Sequence, residues 1–129
     1  MAYTSIDDPS AYFHTQLFSG TGSSQSVTND ANAGDFQPDW VWIKKRAGGT
    51  ARNHILTDST RGVTKCLSTS LADGDFTNTN GLTAFGTDGF TVGSYDSVNE
   101  SDGTYVAWQW KANGGTTTTN DASSTGVGT

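Results

Sequence analysis

The sequence predicts a single all-β domain, an antiparallel β-sandwich of the jelly-roll or concanavalin/lectin-like kind. Composition is the first observation behind this: 16 Gly and only 2 Pro stand among 129 residues, and Thr, Ser, Asn and Asp fill most of the rest. Such a chain suits short strands joined by many turns. Second, runs of strand-forming residues recur about every ten residues, with no amphipathic helical period between them. Third, the length is that of one domain with one core. Aliphatic residues are thin, but 4 Trp, 4 Tyr and 6 Phe compensate, each burying roughly 150–250 Å². Rings are therefore expected to dominate the core.

The elements follow in order. Residues 1–10 read as an N-terminal arm, and the sandwich is expected over 11–112. A first strand occupies 11–18, broken by Gly20, Gly22 and a Ser pair. A short second strand is expected near 26–29, and 29–35 is a loop by composition. In the next run Trp40, Trp42 and Lys44 alternate with Val41, Ile43 and Lys45, apolar on both faces at its start and charged at its end. It reads as a central strand. Gly48 and Gly49 make a hairpin-like turn into a return strand over 52–57. Further strands are expected at 63–69 and 82–85, the latter joined to 90–94 through the Asp88-Gly89 turn signal. Residues 105–111 set Val106, Trp108 and Trp110 against Tyr105, Ala107 and Gln109, a second central strand. From 113 to 129 Gly, Thr, Ser, Asn and Asp take over, as in a flexible or extended tail.

Charge and cysteine usage exclude several classes. A net charge of −6 opposes the counterion displacement on which non-specific nucleic-acid binding depends. No apolar run approaches the roughly 20 residues that span a bilayer, and the first ten residues lack the pattern of a secretory signal. A soluble protein made in a cytoplasm is expected. Cys66 is the 1 cysteine, which leaves no intrachain disulfide.

Five strings carry a family resemblance: Ile6-Asp-Asp-Pro-Ser-Ala-Tyr-Phe13, Gln37-Pro-Asp-Trp-Val-Trp-Ile-Lys44, Asp58-Ser-Thr-Arg-Gly-Val-Thr-Lys65, Phe85-Gly-Thr-Asp-Gly-Phe-Thr-Val-Gly93 and Tyr105-Val-Ala-Trp-Gln-Trp-Lys-Ala112. They resemble an uncharacterised module that recurs in bacteriophage virion proteins, especially of marine phages, often near the start of tail-fibre-like chains with lectin-like sandwich repeats. The resemblance implies a structural protein of the virion, with no catalytic or ligand-binding residue to carry over. The chain stops where other members continue, which brings in a short capsid or tail accessory protein as a rival to a fibre.

Candidate chemistry is sparse. His14 and His54 lie in different expected strands, without a metal-ligand partner at a suitable spacing. Asp7 and Asp8 read as a start signal before Pro9. Asp73, Asp75, Asn78 and Asn80 offer oxygens but lack the Gly and terminal Glu of a helix-loop-helix calcium site. No metal and no cofactor is expected. Asp58 and Arg61 read as a structural turn pair. Gly48 and Gly49 lack the spacing and following helix of a phosphate loop, and Lys44, Lys45 and Arg46 read as a solvated strand end. The core is assigned to Trp40, Trp42, Ile43, Phe90, Val106, Trp108 and Trp110.

The expected function is a non-enzymatic virion structural protein, a tail-fibre, appendage or capsid-associated assembly module. Its partners are other virion proteins and further copies of itself, without nucleic acid or membrane insertion. The alternative is a carbohydrate-binding module of a phage fibre that stacks Trp rings on a host surface glycan. A depolymerase would require a pair of placed carboxylates that the sequence does not offer.

Overall fold

The computed structural model describes residues 8–30 and 34–112; of the expected terminal segments, 1–7 and the tail 113–129 lie outside the described residues. Asp8 accepts a hydrogen bond from the Ser10 backbone N–H (3.0 Å) and so caps a 3-10 turn, Pro9–Ala11. Strand β1 (Phe13–Ser19) follows, then β2 (Gln25–Thr28), β3 (Trp40–Ala47), β4 (Ile55–Asp58), β5 (Lys65–Ser68), β6 (Phe76–Thr77), β7 (Leu82–Gly86) and β8 (Gly89–Val92). A single helical turn, α1 (Asp96–Asn99), leads into β9 (Thr104–Trp110). The fold is all-β, with antiparallel sheets of six strands (β1-β9-β3-β4-β5-β6) and three (β2-β8-β7). The expected central strands β3 and β9 are neighbours in the larger sheet, and β3 pairs with β4 across the Gly48 turn. Gly48 has φ +84°, and a Cβ there would meet the Asp102 carbonyl oxygen at 2.1 Å, so only glycine closes this hairpin.

The two sheets share one core. Val41 and Ile43 of β3, Ile55 of β4, Cys66 of β5 and Tyr105 and Ala107 of β9 cluster with Val27, Leu82, Phe90 and Val92 from the smaller sheet and Val98 of α1. Each such aliphatic side chain contributes about 1.5–3 kcal/mol by leaving water. Phe18 of β1 stacks on Tyr105 at 5.2 Å between centroids and meets Phe90 edge-on at 6.0 Å.

The core assignment made from sequence needs a correction. Ile43 and Phe90 belong to the core cluster, but Trp40, Trp42, Trp108 and Trp110 are absent from it and partly exposed. Side chains alternate across a strand, so these tryptophans share the opposite, outer face of the larger sheet with Val106, which is buried there among its neighbours. The reason is spatial. Sheets pack about 10 Å apart, and a three-stranded cover cannot enclose four indoles that lie side by side on paired strands. The smaller Val41, Ile43 and Ala107 fit that gap. Tyr105 and Gln109 can join them because each finds a hydrogen-bond partner inside.

Candidate functional site

The tryptophans form a ladder on the outer face of the larger sheet. The β3–β9 register sets Trp40 opposite Trp110 and Trp42 opposite Trp108. Ring centroids stand 4.1 Å apart in the first pair and 5.0 Å in the second, tilted by 51° and 41°. Phe13 of β1 extends the ladder, 4.9 Å from Trp110. At the other side the Trp42 indole N–H donates to the Thr69 hydroxyl (2.9 Å), and the His54 ring lies 6.3 Å away. Burial and the nearby Lys44 ammonium hold His54 below the ordinary histidine range. The result is an aromatic face continuous across β1, β9 and β3, with Phe13 40% and Leu17 53% exposed at its margin. Contact between rings fixes the indoles in place, and their remaining exposed surface is apolar and rigid. Such a surface suits a partner that is itself flat and apolar.

The other candidates are local devices. Asp58 accepts from the Arg61 backbone N–H (2.8 Å) and from Arg61 Nε (2.6 Å), a side-chain-closed turn. His14 Nε2 is 3.1 Å from Gln16 Oε1 and 3.8 Å from the Asp30 carboxylate, and it lies on the core face of β1, away from His54. Asn78 Oδ1 accepts from the Asn80 N–H (3.0 Å). Among the described residues no group of three or more His, Cys, Asp or Glu side chains gathers to hold a metal. No described helix is long and apolar enough to cross a membrane. Cys66 is a buried free thiol, pushed up by burial.

The chain belongs to the family DUF7483, a domain of unknown function, whose model matches residues 8–128. No curated protein and no solved structure matches it. The family match takes in every strand described above, so the aromatic ladder lies wholly within it.

Sequence reasoning missed two polar clusters. Lys45, expected in a solvated strand end, is a correction: it is 5% exposed, on the core face of β3. Its ammonium pairs with Glu100 and donates to the Thr50 carbonyl (3.2 Å), while Arg52 reaches Asp96 and Glu100, each at 2.8 Å. The alternation of β3 puts Lys45 on the same face as Val41 and Ile43, a placement visible in the sequence, but its partner 55 residues away is not. Beside this cluster the Tyr105 hydroxyl donates to the Asp96 carbonyl (2.8 Å) and accepts from the Glu100 N–H (2.7 Å). The second cluster surrounds Asn99, which is fully buried. Its amide oxygen accepts from the Thr21 N–H (2.9 Å) and Gln25 Nε2 (2.6 Å), and its nitrogen donates to the Ser23 and Gly93 carbonyls (2.6 and 2.7 Å). Both clusters tie loops to the sandwich through bonds among their own side chains and to backbone groups.

Proposed function

We propose that the chain is a non-enzymatic assembly module of a bacteriophage virion, part of a fibre, appendage or capsid surface, which docks on a neighbouring virion protein through its outer aromatic face. The observation that carries this is the ladder of four partly exposed tryptophans on one sheet face. Aromatic residues are enriched at the centres of protein interfaces because they bury large rigid areas at a low entropic cost. The phage setting rests on the resemblance of the five strings. The acidic balance of −6 disfavours non-specific contact between aromatic faces before a complementary partner is met.

Image reconstruction of the intact particle tests the proposal. It is expected to place the chain at a defined site with the indoles covered by a neighbour. A Trp40→Ser/Trp110→Ser variant that folds is expected to stay out of the particle. Equal incorporation of that variant, or a particle without the chain, would overturn it.

A second reading, recognition of a glycan, is favoured by one end of the ladder, where Trp42 lies beside the hydrogen-bonding groups of His54 and Thr69. A flat ring flanked by polar groups suits a pyranose ring. Glycan-array binding lost on Trp42→Ala would select this reading over protein docking.

A further inference from the structure

The edge of the larger sheet carries an inference independent of what the aromatic face binds. Among the described residues strand β1 pairs only with β9 and ends the order β1-β9-β3-β4-β5-β6. The Lys111 N–H donates to the Tyr12 carbonyl and the Gly20 N–H to the Gly103 carbonyl, both at 2.8 Å. In an antiparallel ladder residues alternate between facing the partner strand and facing away. The even-numbered residues of β1 therefore turn their backbone groups toward β9, and Phe13, Thr15, Leu17 and Ser19 turn theirs outward. All four of these are exposed.

Exposed edges are normally guarded by charge, proline, a bulge or short length. Strand β1 has none of these: seven residues, Phe-His-Thr-Gln-Leu-Phe-Ser, in unbroken register with β9. The other edges are guarded. Strand β6 has two residues, β2 has four, and β7 carries a register shift between Leu82 and Ala84.

We infer that β1 is a self-association edge, at which a second copy of this chain adds its own β1 antiparallel and joins the two larger sheets into one. The sequence of the strand selects the register. With the two-fold axis at Thr15, Phe13 faces Leu17 of the other copy, so the exposed apolar side chains beside the axis cover one another, and His14 faces Gln16 on the inner side. The Ser19 carbonyl, which already accepts from Gln25 Nε2 (2.9 Å), stays outside this pairing. The half-buried Gln16 amide, bonded to the Leu17 carbonyl at 3.0 Å and to His14 Nε2 at 3.1 Å, has to give way. The two tryptophan ladders then lie on the same side of one continuous sheet.

Analytical ultracentrifugation of the full chain tests this, together with three variants. The chain is expected to sediment as a dimer at micromolar concentration. Thr15→Pro removes an N–H that points away from β9, so it spares the ladder within the chain and is expected to weaken the dimer at least about tenfold while strand circular dichroism is kept. Leu17→Lys places a charge at the join and is expected to do the same. Thr15→Cys is expected to link to its own copy with a short bis-maleimide, where Thr28→Cys on β2 does not. A monomeric chain, or a dimer that Leu17→Lys leaves intact and Thr15→Cys fails to trap, overturns the inference. The latter result with a dimer still present would move self-association to another surface and leave the proposed docking face standing.

Discussion

Lys45 and Glu100 form an ion pair across 55 residues, and the ammonium sits on the core side of β3 with its side chain 3% exposed. Glu100 serves two cations, since it also accepts from Arg52 at 2.8 Å. The arrangement joins the Gly48 hairpin to the segment after α1, so the end of the sandwich is closed by charge where the core runs out.

Acid is expected to weaken this closure. The Arg52 guanidinium, and after it the Lys45 ammonium, hold the Glu100 carboxyl below the usual carboxylate range. In the unfolded chain the group returns to its ordinary value and takes up a proton first. The stabilisation is thus complete above that value and is lost as pH falls through the lower folded one. Glu100→Gln removes the effect. Denaturant midpoints for the native chain and the variant, followed by circular dichroism, are expected to differ at neutral pH and to converge in acid. Parallel curves throughout would assign the acid sensitivity to other carboxylates.

The tryptophan ladder and the core beneath it are expected to respond differently to truncation. Ile43 is 1% exposed, and Ile43→Ala is expected to cost about 2–5 kcal/mol. Trp108 is the larger side chain but keeps part of its surface in water, so Trp108→Ala is expected to cost less than about 3 kcal/mol, the lower limit for a buried aromatic. Urea unfolding of both variants gives the comparison, and iodide should quench the indole fluorescence of the native chain. Unquenched indoles, or a Trp108 cost above that of Ile43, would mean that the outer face is covered.

The contrast marks what the sequence could convey. Alternation in β3 and β9 separated Trp40, Trp42, Trp108 and Trp110 correctly from Val41, Ile43, Tyr105 and Ala107, because side-chain period is a property of the backbone. Which of the two faces turns inward was not legible, because both are apolar and the decision depends on the width of the covering sheet. The hairpin signal ahead of β8 and the Asp58-Arg61 turn were legible as local chemistry, with the two turn residues falling at Thr87 and Asp88 and Gly89 opening β8. Strand β6, two residues long, and α1, a single turn, are too short to leave a periodic signal. The Asn99 hub, whose partners lie up to 78 residues away, needs the fold before it can be seen.

Asn99 is expected to be the most sensitive polar position. Its amide makes four hydrogen bonds with no exposure to water. Asn99→Asp keeps the shape and the accepting oxygen but replaces the donating nitrogen, which leaves the Ser23 and Gly93 carbonyls facing a carboxylate. A buried group without its partner costs about 1–3 kcal/mol, so a loss of at least about 3 kcal/mol is expected, together with faster amide exchange at Thr21. Native-like exchange at Thr21 in the variant would show that the loop is held by its other contacts.

The Asp58–Arg61 turn yields to a double-mutant cycle. Among the described residues Arg61 Nη1 and Nη2 are buried without a hydrogen-bond partner, so within the turn the guanidinium is held by Asp58, through Nε at 2.6 Å. Removing Asp58 alone leaves a cation with little compensation and also frees the Arg61 N–H (2.8 Å) that closes the turn. Asp58→Ala is therefore expected to cost about 1.5–3 kcal/mol, the range for hydrogen bonds to charged groups. Arg61→Ala should cost less, since the Asp58 carboxylate keeps the backbone bond and access to water. In the double variant the stranded charge is gone, so the combined loss is expected to fall short of the sum by about 1 kcal/mol. Thermal and urea unfolding of the four chains measure the coupling directly, and strict additivity would show that the 2.6 Å contact contributes nothing to stability beyond the turn it accompanies.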